Sequence, residues 1–359
     1  MTTRGHRRET AMSGDSDYMR HLDSRLAARD SHVADSIASF KGRPLLANTG
    51  IPLDLNWVQE VRVNTSAVER RVQSQVARRT VKKEWQAAWL LRAITCMDLT
   101  TLSGDDTDER VRRLCAKGRH PLQQELVEKL GTAELGIKVA AICVYHSFVE
   151  TALNALEGSG IRVAAVSTGF PAGLSPLAER VAEIRRSVEA GAHEIDVVIT
   201  RAHVFGGRWQ ALYDEIAAFK QACGAVHMKV ILGTGDLLTL RNVARASFVA
   251  MMAGADFIKT STGKEPTNAT LPVSLVMVRA IREYAQQTGM AVGFKPAGGI
   301  RTAKQSLDWF AMIKEELGDS WLRSEMFRFG ASGLLGDIER QLDHYANGRY
   351  SAEYRHPIA

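Results

Sequence analysis

Eight short apolar runs pace the chain from Ile94 onward. They lie at 94–99, 140–145, 162–168, 194–199, 228–233, 256–262, 291–296 and 327–331. Between most of them fall amphipathic stretches of helical length, clearest near 174–191, 208–222, 237–252, 270–288 and 302–317. Alternation of strand and helix implies a parallel sheet, because each return to the same end of the sheet needs a crossover. Eight strands are the number that closes a (β/α)8 barrel, so the expected fold class is α/β, a TIM barrel. The alternative is an open doubly wound sheet. No G-x-G-x-x-G stands at the first strand–helix turn, so a dinucleotide-binding fold lacks its fingerprint.

A barrel keeps its chemistry at the C-terminal ends of its strands. The polar residues that interrupt the apolar runs collect there: Asp98, Cys143, Asp196, Lys259 and Lys295. Lys259 follows Phe257 and Ile258, where a core strand would carry Val or Leu. A buried ammonium is costly, so this lysine is either ion-paired or has a lowered pKa that leaves it neutral and nucleophilic. Lys295 lies 36 positions on, about one strand–helix–strand repeat, which predicts adjacent strands. Two neighbouring cations depress each other's pKa. The bland reading of both lysines is a salt bridge to Asp196 or Asp98, and for Cys143 it is an inert buried thiol. His193 and Glu194 read as structural. Glycine-bearing loops after the last three strands, with Thr262, Gly263 and Lys264, Gly298 and Gly299, and Gly330 and Ser332, offer N–H groups suited to a phosphate dianion.

These segments resemble a known family. FIKTSTGK (257–264) and GFKPAGGIR (293–301) are similar to the two signature segments of the deoxyribose-phosphate aldolases. MDLTTL (97–102), AAICVY (140–145), EIDVVI (194–199) and RFGAS (328–332) continue the resemblance over about residues 92–345. It implies a class I lyase that needs no cofactor and no metal, with a covalent Schiff base on Lys259. Lys295 would be the second catalytic lysine, Asp196 the proton relay and Asp98 an orienting carboxylate. Thr100 and Cys143 would lie near the substrate. The implied reaction is reversible cleavage of 2-deoxy-D-ribose 5-phosphate to D-glyceraldehyde 3-phosphate and acetaldehyde, in deoxyribonucleotide catabolism. The residues alone carry lysine-dependent carbonyl chemistry on a small phosphorylated sugar, which leaves another class I sugar-phosphate aldolase or a transaldolase-like enzyme as the alternative. The chain departs from the family pattern at Gly333 (often a second serine), Gly233 (often acidic) and His146-Ser147 (often Pro-Arg). These positions bear on phosphate affinity and substrate breadth. The family often uses a C-terminal tyrosine, for which Tyr350 and Tyr354 are candidates.

The remaining sequence sets the context. Net charge is +6, but residues 1–90 hold 15 Lys/Arg against 10 Asp/Glu, so the barrel region carries only +1. That argues against a nucleic-acid groove on the barrel. A partner-binding protein that uses the basic extension, with the barrel as scaffold, is the reading from a different class. The four cysteines are scattered, without C-x-x-C, which favours a reducing cytoplasmic setting over a disulfide framework or zinc site. No apolar run reaches the roughly 18 residues of a membrane span, and the polar start is no secretory signal. Arg4, Arg7 and Arg8 suggest an organelle presequence, and Asp15, Asp17 and Asp23 argue against it. The expected organisation is a mobile or helical N-terminal extension (1–79), a barrel domain (80–345) and a tail (346–359). A transient helix is expected near Ser24–Ser39 and an amphipathic helix over 80–93, whose Trp85 and Trp89 would close one end of the barrel. The extension is expected to pack on a neighbouring subunit of a homo-oligomer or on the barrel's N-terminal end.

Overall fold

The computed structural model describes residues 39–40, 42–78 and 80–357. Eight parallel strands form the centre: β1 (Met97–Thr100), β2 (Ala141–Tyr145), β3 (Arg162–Ser167), β4 (Glu194–Val198), β5 (His227–Ile231), β6 (Phe257–Lys259), β7 (Gly293–Lys295) and β8 (Phe329–Ala331). Three helices precede them, α1 (Leu55–Glu60), α2 (Thr65–Arg78) and α3 (Lys83–Thr95). The outer ring continues with α4 (Asp108–Arg119), α5 (Val149–Ala155), α6 (Leu177–Glu189), α7 (Trp209–Cys223), α8 (Leu240–Met252), α9 (Leu271–Thr288), α10 (Ala303–Glu316) and α11 (Leu334–Asn347). The strand order is β7-β6-β5-β4-β3-β2-β1-β8. Its two ends meet: Phe294 N donates to Met326 O at 2.9 Å, and Gly330 N donates to Pro296 O at 2.9 Å. The sheet is therefore a barrel, and the open-sheet alternative falls.

Local sequence explains the parts. In the last strand region Phe327 and Phe329 point outward, and both rings pack on Phe310 of α10, with centroids 5.3 and 5.2 Å away. Arg328 and Gly330 alternate with them and point into the barrel, as the period of two requires. α10 starts at a capping box in which Thr302 accepts from Gln305 N and the Gln305 side chain accepts from Thr302 N. At the barrel floor Gly293 is obligatory, because a Cβ there would lie 2.4 Å from the Phe257 ring. That ring and His227, 5.5 Å apart, plug the N-terminal end.

The expected amphipathic helix exists as α3, but its placement differs. It packs against α10 and α11 on the barrel's flank. Trp89 meets Phe310 edge-on at 5.9 Å, whereas Trp85 is 51% exposed. The buried face of α3 is Ala87, Leu90, Leu91, Ala93 and Ile94.

The described part of the extension packs on the barrel's N-terminal end. Leu46–Ala47 pairs in parallel with Met290–Ala291. The buried Asn48 donates to Met251 O at 2.9 Å and Ala255 O at 2.8 Å, and accepts from the Tyr284 hydroxyl at 3.0 Å. Trp57 then packs 5.0 Å from Phe248. The presequence reading and nearly all of the expected Ser24–Ser39 helix lie outside the described residues. Ser39 itself pairs with Pro44 in a short antiparallel strand.

Asn48→Ala removes three buried hydrogen bonds and leaves Ala255 O without its side-chain donor, while Met251 O keeps the Tyr284 hydroxyl, a loss of about 2 kcal/mol. For a chain this long the thermal midpoint should fall by about 3 °C. Activity should not change, since Asn48 lies at the end remote from the C-terminal strand ends. Differential scanning calorimetry with a parallel activity assay checks both, and an unmoved midpoint would mean that the arm is not anchored through Asn48.

Candidate active site

Strand register brings the expected residues together. Lys295 pairs with Lys259 across β7 and β6, and Asp196 pairs with Lys229 across β4 and β5. The four residues expected to carry catalysis, Lys259, Lys295, Asp196 and Asp98, are all buried inside the barrel. Asp196 is the hub. Its Oδ2 accepts from Lys259 Nζ at 2.8 Å and from Lys295 Nζ at 2.8 Å, while its Oδ1 accepts from Lys229 Nζ at 2.8 Å. Asp98 Oδ2 accepts from Lys295 Nζ at 2.5 Å. The salt-bridge reading of Lys295 is thus realised with both aspartates at once.

Three members of this network were not assigned from sequence. Glu194, read as structural, points inward with Asp196 because β4 is regular, and it lies 2.5 Å from Lys229 Nζ. Arg328 spans Asp98 at 2.5 Å and Glu194 at 2.8 Å. Lys229 joins all three carboxylates, the most distant being Asp98 at 3.7 Å. A signal for Lys229 and Arg328 is present in the sequence: each is a cation embedded in an apolar run, as Lys259 is.

The electrostatics separate the three lysines. Burial opposes the charge on Lys295, but Asp196 and Asp98 outweigh it and push its pKa well up. Burial likewise opposes Lys229, and Asp196 with Glu194 overcomes it, so its pKa is raised. At Lys259 burial prevails over Asp196, and the neighbouring Lys295 charge adds to it, so the pKa is lowered. The expected mutual depression of two lysines is therefore one-sided. Burial would raise the pKa of Asp196, yet Lys229, Lys259 and Lys295 hold it well below the carboxylate range. With Lys259 neutral, three cations face three carboxylates and the buried charges balance.

Above this layer opens a cavity of about 750 Å³ at the C-terminal ends of the strands. Of the network residues, Lys259 alone lines it. Thr100, Thr262, Gly263, Lys264, Gly298, Gly299, Gly330 and Ser332 also line it, as expected, joined by Arg301, Arg340 and His356. Gly298 (φ +79°) and Gly299 (φ +82°) are consecutive left-handed residues, a turn that side chains rarely allow. Cys143 lies behind the lining in an apolar wall with Leu102, Ala164 and Val166. Burial pushes its thiol pKa up, which disfavours the reactive thiolate.

The loop after β6 differs from the expected phosphate cradle. Thr262 N donates to both Glu265 oxygens, at 3.1 and 3.0 Å, Gly263 N donates to Oε2 at 3.1 Å, and the Thr262 hydroxyl donates at 2.7 Å. An internal carboxylate thus occupies the amides read as phosphate donors. Neither candidate tyrosine lines the cavity: Tyr350 stacks on His344 at 4.1 Å, and Tyr354 is exposed.

Residues 92–335 match the DeoC/LacD family of aldolases. The chain belongs to that family. It is 57% identical to the Homo sapiens deoxyribose-phosphate aldolase over 314 residues, 87% of this chain and 99% of that protein. It is 58% identical to the Mus musculus deoxyribose-phosphate aldolase over 312 residues, 86% of this chain and 98% of that one. The tetrameric deoxyribose phosphate aldolase of Aeropyrum pernix matches with a TM-score of 0.50 at 22% identity, over 78% of this chain and 99% of that one, a likeness of fold. The ionic network lies within the matched segment, and so does the cavity lining apart from Gly336, Asp337, Arg340, His356 and Pro357.

Lys229→Met removes the cation shared by Asp98, Glu194 and Asp196 and leaves buried carboxylates undercompensated. Stability should fall by about 3–5 kcal/mol, read from urea unfolding. A loss below about 1 kcal/mol would show that Lys295 and Arg328 suffice to hold the carboxylates.

Proposed function

We propose that the protein is a Schiff-base aldolase that reversibly cleaves 2-deoxy-D-ribose 5-phosphate to D-glyceraldehyde 3-phosphate and acetaldehyde. The observation that carries this reading is that Lys259, the buried lysine with the lowered pKa, is also the one that reaches the cavity. Relatives of high identity named for this activity support the choice of substrate.

The mechanism follows from the geometry. The neutral Lys259 amine attacks the C1 aldehyde to give a carbinolamine, and loss of water gives an iminium. The iminium draws in the C2–C3 bond pair as the C3 hydroxyl loses its proton, which releases glyceraldehyde 3-phosphate and leaves an enamine. Protonation at C2 and hydrolysis then free acetaldehyde and the amine. Asp196 Oδ2 touches both the Lys259 and Lys295 amines, so it can pass a proton between them without leaving the network. Asp98 holds Lys295 from the other side. The chemistry resides in the amine and calls for no cofactor or metal ion.

The substrate class is a small phosphorylated sugar, bound with its phosphate toward the loops after β7 and β8. We propose a cytoplasmic setting on the four buried free cysteines; among the described residues no helix is long and apolar enough to cross a membrane. Sedimentation would show whether it forms a homo-oligomer.

Borohydride reduction in the presence of acetaldehyde should leave an ethyl group on Lys259, located by peptide mass mapping, and Lys259→Ala should abolish it. An adduct on Lys295 would move the nucleophile, and no adduct on folded protein would sink the reading. Use of acetaldehyde as sole donor also separates this activity from other class I sugar-phosphate aldolases.

The pH dependence has a definite sign. A lowered Lys259 pKa means that trapping slows as pH falls through that pKa, because the amine becomes protonated. Lys295→Leu removes a cation that lowers this pKa, so the acid limb of the trapping rate should move to higher pH. A limb that stays in place would show that Lys295 does not tune the nucleophile.

A further inference from the structure

The phosphate end of the cavity has fewer donors than its loops suggest. The amides of Thr262 and Gly263 are taken by Glu265. At the start of α11 the residue after Ser332 is Gly333, so that position offers no hydroxyl, and a Cβ there would meet nothing within 4 Å. Yet α11 turns one face to the cavity. Gly333, Gly336, Asp337 and Arg340 all line it, at the spacing of successive turns on one helix side. Asp337 is committed to α10, where its Oδ2 accepts from Ala303 N at 2.7 Å. Arg340 is uncommitted. Its Nε is buried with no hydrogen-bond partner, and among the described residues it enters no ion pair.

We infer that Arg340 is a phosphate-binding residue and sets the preference for phosphorylated over unphosphorylated substrate. The inference rests on the aldolase reading of the cavity. Helical side chains lean toward the N-terminus, so the guanidinium is directed back along the helix toward Gly333. Gly336 leaves the intervening surface flat. The amides at the N-terminus of α11 and the planar guanidinium then address one dianion from two sides. Of the charged groups lining this end, Lys264, Arg301 and Arg340 are cationic and Asp337 is anionic, so Arg340 supplies half of the net positive charge there. His356 of the C-terminal segment also lines the cavity, and burial lowers its pKa, which keeps it neutral beside Arg340.

The test compares wild type with Arg340→Gln and Arg340→Lys. Steady-state kinetics are measured on 2-deoxy-D-ribose 5-phosphate and on 2-deoxy-D-ribose. In Arg340→Gln the ratio of kcat/KM between the two sugars should fall about 10- to 100-fold, with the loss in KM, since a charge-assisted contact is removed. Arg340→Lys should recover most of the ratio. An unchanged ratio overturns the inference, whether or not both activities drop together. If the wild type cleaves no deoxyribose phosphate, the aldolase reading fails, and calorimetric titration with inorganic phosphate decides the matter of Arg340. Binding at least tenfold weaker in Arg340→Gln supports the role, and equal binding overturns it.

Discussion

The structure depends on one carboxylate. Asp196 holds Lys229 on one oxygen and both Lys259 and Lys295 on the other. Its neighbours set the consequences. Lys295 has a second carboxylate in Asp98, and Lys229 has a second in Glu194, so each keeps its proton against the cost of burial. Lys259 has Asp196 alone and must share that oxygen with a competing ammonium. Burial then decides its state. A buried charge lacking full compensation is disfavoured against the neutral amine, since desolvation of the ammonium outweighs what one shared contact returns. A reactive amine therefore follows from the count of partners and needs no separate device.

The fold serves that count. Period-two alternation turns Glu194 and Asp196 inward from β4 and turns Arg328 inward from between two outward phenylalanines. Those phenylalanines pack on Phe310, so the arginine's position is fixed by apolar contacts on the far side of the strand. Below the ionic layer the Phe257 ring closes the floor against Gly293, which keeps water from the charges. The N-terminal arm is tied to that same end through Asn48, away from the cavity. Stability and chemistry are thus placed at opposite ends of one barrel.

Much of this was legible in the sequence, because periodicity and inward-facing charge are local signals. The eight apolar runs marked all eight strands, and the 36-residue interval between Lys259 and Lys295 marked adjacent strands in register. Lys229 and Arg328 carry the same mark as Lys259, a cation within an apolar run; only the three-dimensional count of carboxylates shows that they are needed. The loop after β6 misled for another reason. Thr262 and Gly263 have the composition of an anion cradle, and they do hold an anion, but it is the carboxylate of Glu265 three residues on. Composition identifies a nest and not its occupant. Trp85 and Trp89 show the limit of helical spacing, which predicts a shared face but not which neighbour that face meets.

A buried network of four basic side chains and three carboxylates is a weak stabilising device. Well-packed apolar residues of similar volume commonly do as well or better, because they carry no desolvation penalty. Its retention is instead explained by asymmetry. An apolar interior could seat one lysine with a lowered pKa, but it could not place a proton acceptor against that amine and a proton donor on the same oxygen. Here Asp196 Oδ2 accepts from both Lys259 and Lys295, and neither Asp196 nor Lys295 lines the cavity. The cavity therefore meets one reactive atom, while the groups that set its charge and can move its proton stay dry beneath it.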